Sequence, residues 1–339
     1  MSYNNDDKRQ NLFNEIEQKY ISQPNIETIK LPISSSNSIE LDILRLDLIH
    51  PIIGGNKWYK LKGHFDSYLL SSKKKIIVSC GGTYSNHLYA LGFLCHKLDL
   101  EATFFIREGN MSSRMLIDLK QWGIKYIFIS RGIYRKRYQS QWWHEVLSEY
   151  GYCYDDFFVI EEGGSGALAM QGINELLQSL PIGKYNEILL PFASGGTYAG
   201  CMTTTNKQVK ITGISVVDDI NKQLSSIGSW LDIDMSLHNK NNSVEDKYNC
   251  GGYMKFNSGL LSFMEIWFRE TKIPIEPIYS GKLFYAIFLK LHAIKNNDYS
   301  KILAIHTGGL QALHGLEESF KKYNFQNLWN NIASTIVNK

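Results

Sequence analysis

The chain has 339 residues, of which 44% are hydrophobic and 20% are charged, and its formal net charge is +3. This composition is ordinary for a globular protein with one large or two medium domains, and a charge so close to neutral argues against a nucleic-acid partner. The densest basic run, Arg131 to Arg137, is predicted to be a solvent-exposed loop that enters a helix.

Five cysteines are scattered along the chain, and none of them forms a CxxC pair. The odd number and the spacing argue against a disulfide framework or a structural zinc site, so we expect no metal. The first residues are polar and lack the apolar core of a secretory signal, and no run approaches the roughly 18 apolar residues of a membrane span. We therefore expect a cytoplasmic protein without a membrane partner.

Short apolar runs alternate with amphipathic stretches in the first half of the chain. A helix is predicted to begin near Lys57, because apolar residues recur after it at helical spacing. Further strands are predicted at 76–78, 102–106, 125–129 and 158–160, and further helices at 85–97, 111–122 and 137–150. Such alternation is typical of a parallel sheet covered by helices.

The same pattern restarts in the second half. It predicts helices at 167–180, from Thr197, at 260–269 and at 283–295, and strands at 187–190, 209–216 and 302–305. The polar stretch 236–253 is predicted to be an exposed loop. The fold class is therefore α/β, with two open parallel-sheet domains covered by helices and a ligand cleft between them at the carboxyl ends of the strands.

Glycine-bearing elements stand where predicted strands end or helices begin. They are GGNK (54–57), GGTYSNH (81–87), EEGGSG (161–166), SGGTYAG (194–200), YSGK (279–282) and HTGG (306–309). In SGGTYAG, glycines followed by a helix N-terminus form a cradle for an anion such as a phosphate. The spacing matches neither GxGxxG nor a P-loop, so a nucleotide-binding Rossmann enzyme is disfavoured.

Lys57 lies at a predicted helix N-terminus, where the helix dipole favours the neutral amine. A neutral amine is a nucleophile for carbonyl groups. A surface lysine that begins an amphipathic helix fits the local sequence equally well, and Lys60 and Lys62 are expected at solvated positions. Ser85 and Asn86 fit either a helix cap or a site for a carboxylate.

In this order, the six elements resemble the D-cysteine desulfhydrase and 1-aminocyclopropane-1-carboxylate (ACC) deaminase family of fold type II pyridoxal 5'-phosphate (PLP) enzymes. The resemblance runs from about Leu31 to Gly315. It implies PLP as cofactor, a small amino-acid substrate and a homodimer. It also implies a large PLP-binding domain made of 1–48 and 162–339, with 49–161 as the small domain.

The family's site residues carry over by position, with Lys57 resembling the lysine that holds PLP and Asn86 the residue at the PLP 3′-oxygen. The resemblance implies catalytic roles for Lys57, Ser85 and Tyr279; cofactor contacts from Lys57, Asn86, Ala193, Ser194, Gly195, Gly196, Thr197, Tyr279, Ser280 and Thr307; and substrate contacts from Ser85, Asn86, His87 and Gly164.

Ser280 and Thr307 point to one side of the family. ACC deaminases typically carry Glu and Leu at these positions, whereas desulfhydrase-like members carry a small hydroxyl residue and Thr. The resemblance therefore implies α,β-elimination of a D-amino acid, with D-cysteine giving pyruvate, ammonia and hydrogen sulfide. A neutral hydroxyl at the pyridine nitrogen would leave that nitrogen largely unprotonated. Alternatives are an ACC deaminase, another PLP-dependent lyase or deaminase, and a non-catalytic PLP-binding protein.

Some positions depart from the family's pattern. Trp58 and Tyr59 replace a Thr-Arg pair, and Tyr89 belongs to a run that replaces the common Ala-Arg-Gln type. We expect these three aromatic residues to alter the substrate pocket.

Overall fold

A computed structural model describes residues 5–32, 38–71, 76–204, 209–233, 235, 242–293 and 301–337. These residues form two separate sheets. The strands are β1 Ile26–Pro32, β2 Ser38–Arg45, β3 Ile76–Gly81, β4 Glu101–Arg107, β5 Lys125–Ile129, β6 Phe157–Val159, β7 Glu187–Phe192, β8 Lys210–Ser215, β9 Asn242–Glu245 and β10 Ile302–His306.

The smaller sheet has the order β5-β4-β3-β6 and is parallel throughout. The larger sheet has the order β1-β2-β10-β7-β8-β9, and only its β1–β2 pair is antiparallel. The predicted α/β fold with two sheets is confirmed, and the antiparallel pair at one edge is an addition to it. Strand β9 lies in the stretch predicted to be an exposed loop, of which 236–241 fall outside the described residues.

Helices cover both sheets. They are α1 Asn5–Tyr20, α2 Asn56–Ser71, α3 Asn86–Lys97, α4 Arg114–Gln121, α5 Arg131–Arg135, α6 Trp142–Glu149, α7 Ala167–Gln178, α8 Gly196–Thr204, α9 Asn221–Leu231, α10 Ser258–Thr271, α11 Ser280–Ala293, α12 Glu317–Lys322 and α13 Gln326–Val337. The helix predicted at 137–150 is found as α6, but it begins only at Trp142, because the chain turns after α5. The last residues of the helix predicted at 283–295 lie outside the described part.

Within the described ranges, no helix combines the length and the apolar character that crossing a membrane requires.

Alternating side chains of the larger sheet pack on opposite faces. Ile188 and Leu190 of β7 belong to one apolar cluster, whereas Leu189 between them belongs to another. Because successive residues of a strand point to opposite faces, both faces of this sheet are covered by apolar layers. This explains why its strands appear in the sequence as continuous apolar runs.

Helix α2 lies between the two sheets and has close neighbours on both sides. From one side, Phe13 of α1 packs on Trp58 and Phe65, with ring centroids 5.4 and 5.5 Å apart. On the other side, a Cβ on Gly63 would overlap the carbonyl oxygen of Leu168, and one on Gly172 would overlap that of Tyr59. Glycine at both positions lets the α2 and α7 backbones touch.

The division into 1–48 with 162–339 and 49–161 stays a prediction. Strands β3 to β6 form the smaller sheet, and the other six form the larger one. Helix α1 packs into the apolar cluster of the smaller sheet through Phe13 and Ile16, although the predicted division assigns it to the large domain.

Candidate active site

The start of α2 is the point where two loops that follow strands of the larger sheet meet. Gly55 has a φ of +73°, and a Cβ there would overlap the carbonyl oxygen of Thr307. The backbone N–H of Asn56 donates to that oxygen at 3.2 Å, and the Asn56 amide donates to the Thr197 hydroxyl at 2.8 Å. The GGNK, SGGTYAG and HTGG elements, far apart in sequence, are therefore bonded to one another.

Lys57 lies in this junction as the second residue of α2. Its Nζ donates to the Asn56 side-chain oxygen at 2.7 Å. Burial disfavours the charged ammonium and lowers the pKa of Lys57 to about 8. A substantial fraction of neutral amine is therefore available just above neutral pH, which is what attack on a carbonyl carbon requires.

Lys60 contradicts the expectation of a solvated side chain, because it is only 1% exposed. Its Nζ donates to the hydroxyls of Ser165 at 3.0 Å and Ser194 at 3.2 Å. Burial, and then the charge of Lys57, lower the pKa of Lys60 well below its ordinary value. Lys60 lies one turn after Lys57 and therefore on the same face of α2, a spacing that could have signalled its burial.

Lys62 lies closer to solvent. Its side chain is 18% exposed, and its Nζ forms ion pairs with Asp66 at 2.8 Å and Glu175 at 3.3 Å.

The glycine loop 193–197 leads from β7 into α8. Gly195 has a φ of +85°, which favours glycine, and α8 begins at Gly196. A Cβ on Gly196 would lie 3.2 Å from the Nζ of Lys60. The first N–H groups of α8 and a buried amine therefore face the same small volume, which is the donor set that a phosphate prefers.

Ser85 is the N-cap of α3, and its hydroxyl accepts the Leu88 N–H at 3.2 Å. The structure thus shows the capping role that the sequence left open beside a substrate contact. Asn86 follows with a buried side-chain oxygen that has no hydrogen-bond partner among the described residues. Its amide nitrogen would lie 2.6 Å from a Cβ on Gly309. Asn86, which begins the helix after β3 of the smaller sheet, therefore faces the HTGG loop after β10 of the larger sheet.

His87 is buried beside Gly164. The Ser79 hydroxyl donates to the Ile160 carbonyl at 2.6 Å, so it must accept from the Nε2 of His87, 2.8 Å away. His87 is then neutral with an unprotonated Nδ1, and burial lowers its pKa well below the ordinary value. That Nδ1 has no partner among the described residues and would lie 3.1 Å from a Cβ on Gly164.

Tyr279 lies at the start of α11 and donates from its hydroxyl to that of Tyr253 at 3.1 Å. Tyr253 was missed, because its polar surroundings in sequence favour an exposed loop. Ser280 is fully buried, and its hydroxyl donates to the Glu276 carboxylate at 3.0 Å. Glu276 also accepts the Tyr279 and Ser280 N–H groups and so caps α11. The contact of Ser280 with the cofactor stays a prediction.

The aromatic departures from the family's pattern do not line this junction. Trp58 is 1% exposed and packs against α1. Tyr59 belongs to the apolar layers on either side of α2. Tyr89 donates to Asp118 at 2.8 Å, and its ring lies 5.1 Å from that of Trp122. The expectation that these residues alter the pocket is wrong, because all three side chains pack or bond elsewhere in the protein and not at the junction.

The basic run Arg131 to Arg137 also differs from its prediction. Arg137 is not in a solvated loop: its guanidinium lies between the rings of Tyr134 and Tyr138, 4.2 and 4.3 Å from their centroids, and pairs with Glu162. Both tyrosine hydroxyls also donate to Glu162. This cluster anchors the EEGGSG loop, a pairing across 25 residues that no local pattern could reveal.

These residues fit PLP. A half-buried lysine with a lowered pKa lies near a helix N-terminus and a buried amine, which together suit a phosphate. A buried amide oxygen without a partner remains for a polar atom of a ligand. The contacts above bring together Lys57, Asn86, Gly164 and the loops 193–197 and 306–309, whereas the place of Tyr279 beside the cofactor stays a prediction.

No protein-family model matches the chain. It is 27% identical over 308 residues to the bifunctional D-cysteine desulfhydrase/ACC deaminase of Arabidopsis thaliana, a match that covers 82% of this chain and 74% of that protein. It is 24% identical over 300 residues to a D-cysteine desulfhydrase of Klebsiella pneumoniae, which covers 81% of this chain and 88% of that one.

Solved structures share the fold. An ACC deaminase homologue superposes with a TM-score of 0.71 at 23% identity, over 92% of this chain and 98% of that one. A PLP-dependent aspartate racemase gives a TM-score of 0.58 at 14% identity, over 89% and 94% of the two chains. The predicted resemblance and fold type are confirmed, and the names of the relatives include both activities.

Proposed function

We propose that this chain, a relative of D-cysteine desulfhydrases and ACC deaminases, is a PLP-dependent lyase that releases ammonia from a small amino acid, with D-cysteine as the preferred substrate. The observation that carries the proposal is a pair of lysines on one face of α2, Lys57 half-buried and Lys60 buried. Among the described residues, Lys57 Nζ donates to Asn56 alone and has a pKa of about 8, whereas Lys60 lies against the glycine loop. The two amines suit two ends of one cofactor.

Lys57 would hold PLP covalently, and Lys60 with the first N–H groups of α8 would hold its phosphate. Lys60 would carry its charge when a dianion lies beside it, because an opposite charge favours the ammonium. Asn86 and Tyr279 would contact the ring. When bound, PLP supplies an electron sink for the negative charge that develops at the substrate's Cα.

The chain's own groups would then position the substrate and move one proton. The N-terminus of α3 at Ser85 and Asn86 would bind the α-carboxylate. Lys57 Nζ, with its pKa of about 8, would accept the Cα proton near neutral pH. The Nδ1 of His87 can accept a hydrogen bond from the substrate but is a poor base, since burial keeps its pKa low.

Ser280 and Thr307 support D-cysteine over ACC. Both positions carry neutral hydroxyl side chains in a buried part of the site. Elimination of thiolate from D-cysteine gives hydrogen sulfide, and hydrolysis of the remaining enamine gives pyruvate and ammonia. The alternative is ACC deaminase activity, which names among the relatives support equally.

The test combines a visible spectrum, borohydride reduction and peptide mapping of the purified protein with PLP. We expect the reduced adduct on Lys57, and at least a 1000-fold loss of ammonia release in Lys57→Ala. Lys62→Ala is the matched control, because Lys62 lies on the same helix in surface ion pairs. An adduct on Lys60 or Lys62, or full turnover by Lys57→Ala, would contradict the proposal.

A panel of D- and L-amino acids together with ACC then distinguishes the two activities by sulfide and ammonia release. If the protein releases ammonia from ACC but no sulfide from D-cysteine, ACC takes the place of D-cysteine as the preferred substrate. The cytoplasmic location and the homodimer remain predictions, and gel filtration of the purified protein tests the latter.

A further inference from the structure

Arg107 ends β4 at the carboxyl edge of the smaller sheet. In the register of β3 and β4, Gly81 pairs with Ile106, so Arg107 lies beside Gly82. Its Nη2 would be 3.5 Å from a Cβ on Gly82. Gly82 has no side chain to cover the guanidinium, and it begins the turn that leads to Ser85, Asn86 and His87. An arginine therefore borders the loop to which we assign the substrate.

Among the residues that the structure describes, no ion-pair partner explains the position of this guanidinium. Its Nε is buried and makes no hydrogen bond to any described residue. Its close neighbour is the ring of Tyr134, 5.6 Å from the guanidinium carbon. A buried donor without a partner costs free energy, so such a group calls for a missing acceptor.

The nearby carboxylates already have donors of their own. Glu162 accepts from Arg137, Tyr134 and Tyr138. Glu161 accepts from the indole of Trp143 at 3.1 Å. No carboxylate in the described ranges lies within 4 Å of Arg107 as an ion pair, so its charge is left for a ligand, whereas that of Arg137 is neutralised.

Arg107 also acts across the cleft. Desolvation raises the pKa of Tyr253, and both its hydrogen bond with Tyr279 and the positive charge of Arg107 oppose that rise. Tyr253 belongs to the larger-sheet side and Arg107 to the smaller one. The guanidinium is thus within electrostatic reach of the tyrosine pair at the opposite wall.

We propose that Arg107 binds negative charge on the side chain of the substrate, so that the site takes amino acids whose side chain carries a thiolate, as in D-cysteine, a carboxylate or another anion. This rests on the proposed function. The cofactor phosphate and the α-carboxylate are assigned to Lys60 with α8 and to the start of α3, which leaves Arg107 for a second anion. A thiolate departing from Cβ carries the same sign of charge.

The test measures binding by calorimetry to the PLP-loaded protein, with aspartate and asparagine as probes in both enantiomers. These two differ in charge but hardly in size. We expect one enantiomer of aspartate to bind at least 10-fold more tightly than its asparagine counterpart. Arg107→Gln should remove that preference and leave asparagine binding within about 3-fold.

Arg114→Gln is the control, since Arg114 is an exposed arginine with a 70% exposed side chain. Arg107→Lys keeps the charge and should retain part of the preference for aspartate. This variant therefore also tests the inference if Arg107→Gln folds poorly. Equal binding of aspartate and asparagine by the wild-type protein overturns the inference. An equal loss for both probes in Arg107→Gln overturns it too, because Arg107 would then bind the common α-carboxylate or only support the fold.

The failure of this inference and that of the proposed function are distinguishable. If borohydride labels Lys57 but the protein does not prefer aspartate to asparagine, the cofactor assignment stands and the proposed substrate class is wrong. If no lysine is labelled, the proposed function fails before any probe is added.

Discussion

The two walls of the cleft differ in how their polar groups are satisfied. On the larger-sheet side, Ser194 and Thr197 are hydrogen-bonded to Lys60 and Asn56. On the smaller-sheet side, atoms of Asn86, His87 and Arg107 are buried without partners among the described residues. The Ser194 and Thr197 hydroxyls of the first wall have partners within the protein, which suits a permanent cofactor, whereas the second wall is incomplete without a ligand and suits a substrate that comes and goes.

Removing the amine of Lys57 tests whether this desolvated group lowers the free energy of unfolding of the cofactor-free protein. Since its pKa falls from 10.5 to about 8 on folding, the unfolded chain binds more protons between these values, and stability rises with pH across that window. Lys57→Met should therefore make the cofactor-free protein more stable at pH 7 by about 3 kcal/mol. Urea unfolding from pH 7 to 10.5 measures this.

The advantage of Lys57→Met should shrink as the pH approaches 10.5. A difference that is constant over this range would mean that folding does not desolvate the amine of Lys57.

Replacing Lys60 by Met tests whether the glycine loop alone retains the phosphate. Loss of a charge-assisted hydrogen bond costs about 1.5–3 kcal/mol, so we expect PLP to bind about 100-fold more weakly. Lys62→Met is the matched control, because the side chain of Lys62 lies in surface ion pairs on the same helix. Titration of the cofactor-free proteins with PLP, followed by absorbance, measures the effect, and equal affinities would remove Lys60 from the site.

Asn86→Ala tests the incomplete wall. Because the side-chain oxygen of Asn86 has no partner in the protein, its removal should barely change the melting temperature. It should lower kcat/KM about 10-fold, the value of one hydrogen bond to a ligand. Asn56→Ala is the contrast: Asn56 bonds Thr197 and Lys57, so we expect a clear loss of stability there. A destabilised Asn86→Ala protein with unchanged kinetics would reverse the assignment of the two walls.

Much of the fold could be predicted because buried parallel strands leave continuous apolar runs in the sequence. The predicted strands at 125–129 and 302–305 nearly coincide with β5 and β10. Strand β1 was missed, because a half-exposed antiparallel edge has a weaker pattern, and β2 was missed although it is buried, because Asp42 and Arg45 interrupt its apolar run. The glycine elements marked the turns at the sheet edges, since close backbone approach, as at Gly55 and Thr307, requires glycine.

The electrostatics of the site could not be predicted in the same way. Lysine is ordinarily exposed, so the only local signal for the burial of Lys60 was its spacing of one helical turn from Lys57. The pairing of Arg137 with Glu162 and the isolation of Arg107 depend on which loops meet in three dimensions. Composition and spacing identify residues that are able to act, but only tertiary contacts decide which charges are neutralised.

The backbone contact between α2 and α7 has a consequence for motion. Because Gly63 and Gly172 bring the two helices together with no side chain between them, α2 cannot slide or tilt without displacing α7. Lys57 should therefore travel with the larger sheet as one rigid body, although it precedes every strand of the smaller one. Any closure over a substrate then falls to the loops after β3 and β4, whose hinges should change in hydrogen exchange while the start of α2 stays protected.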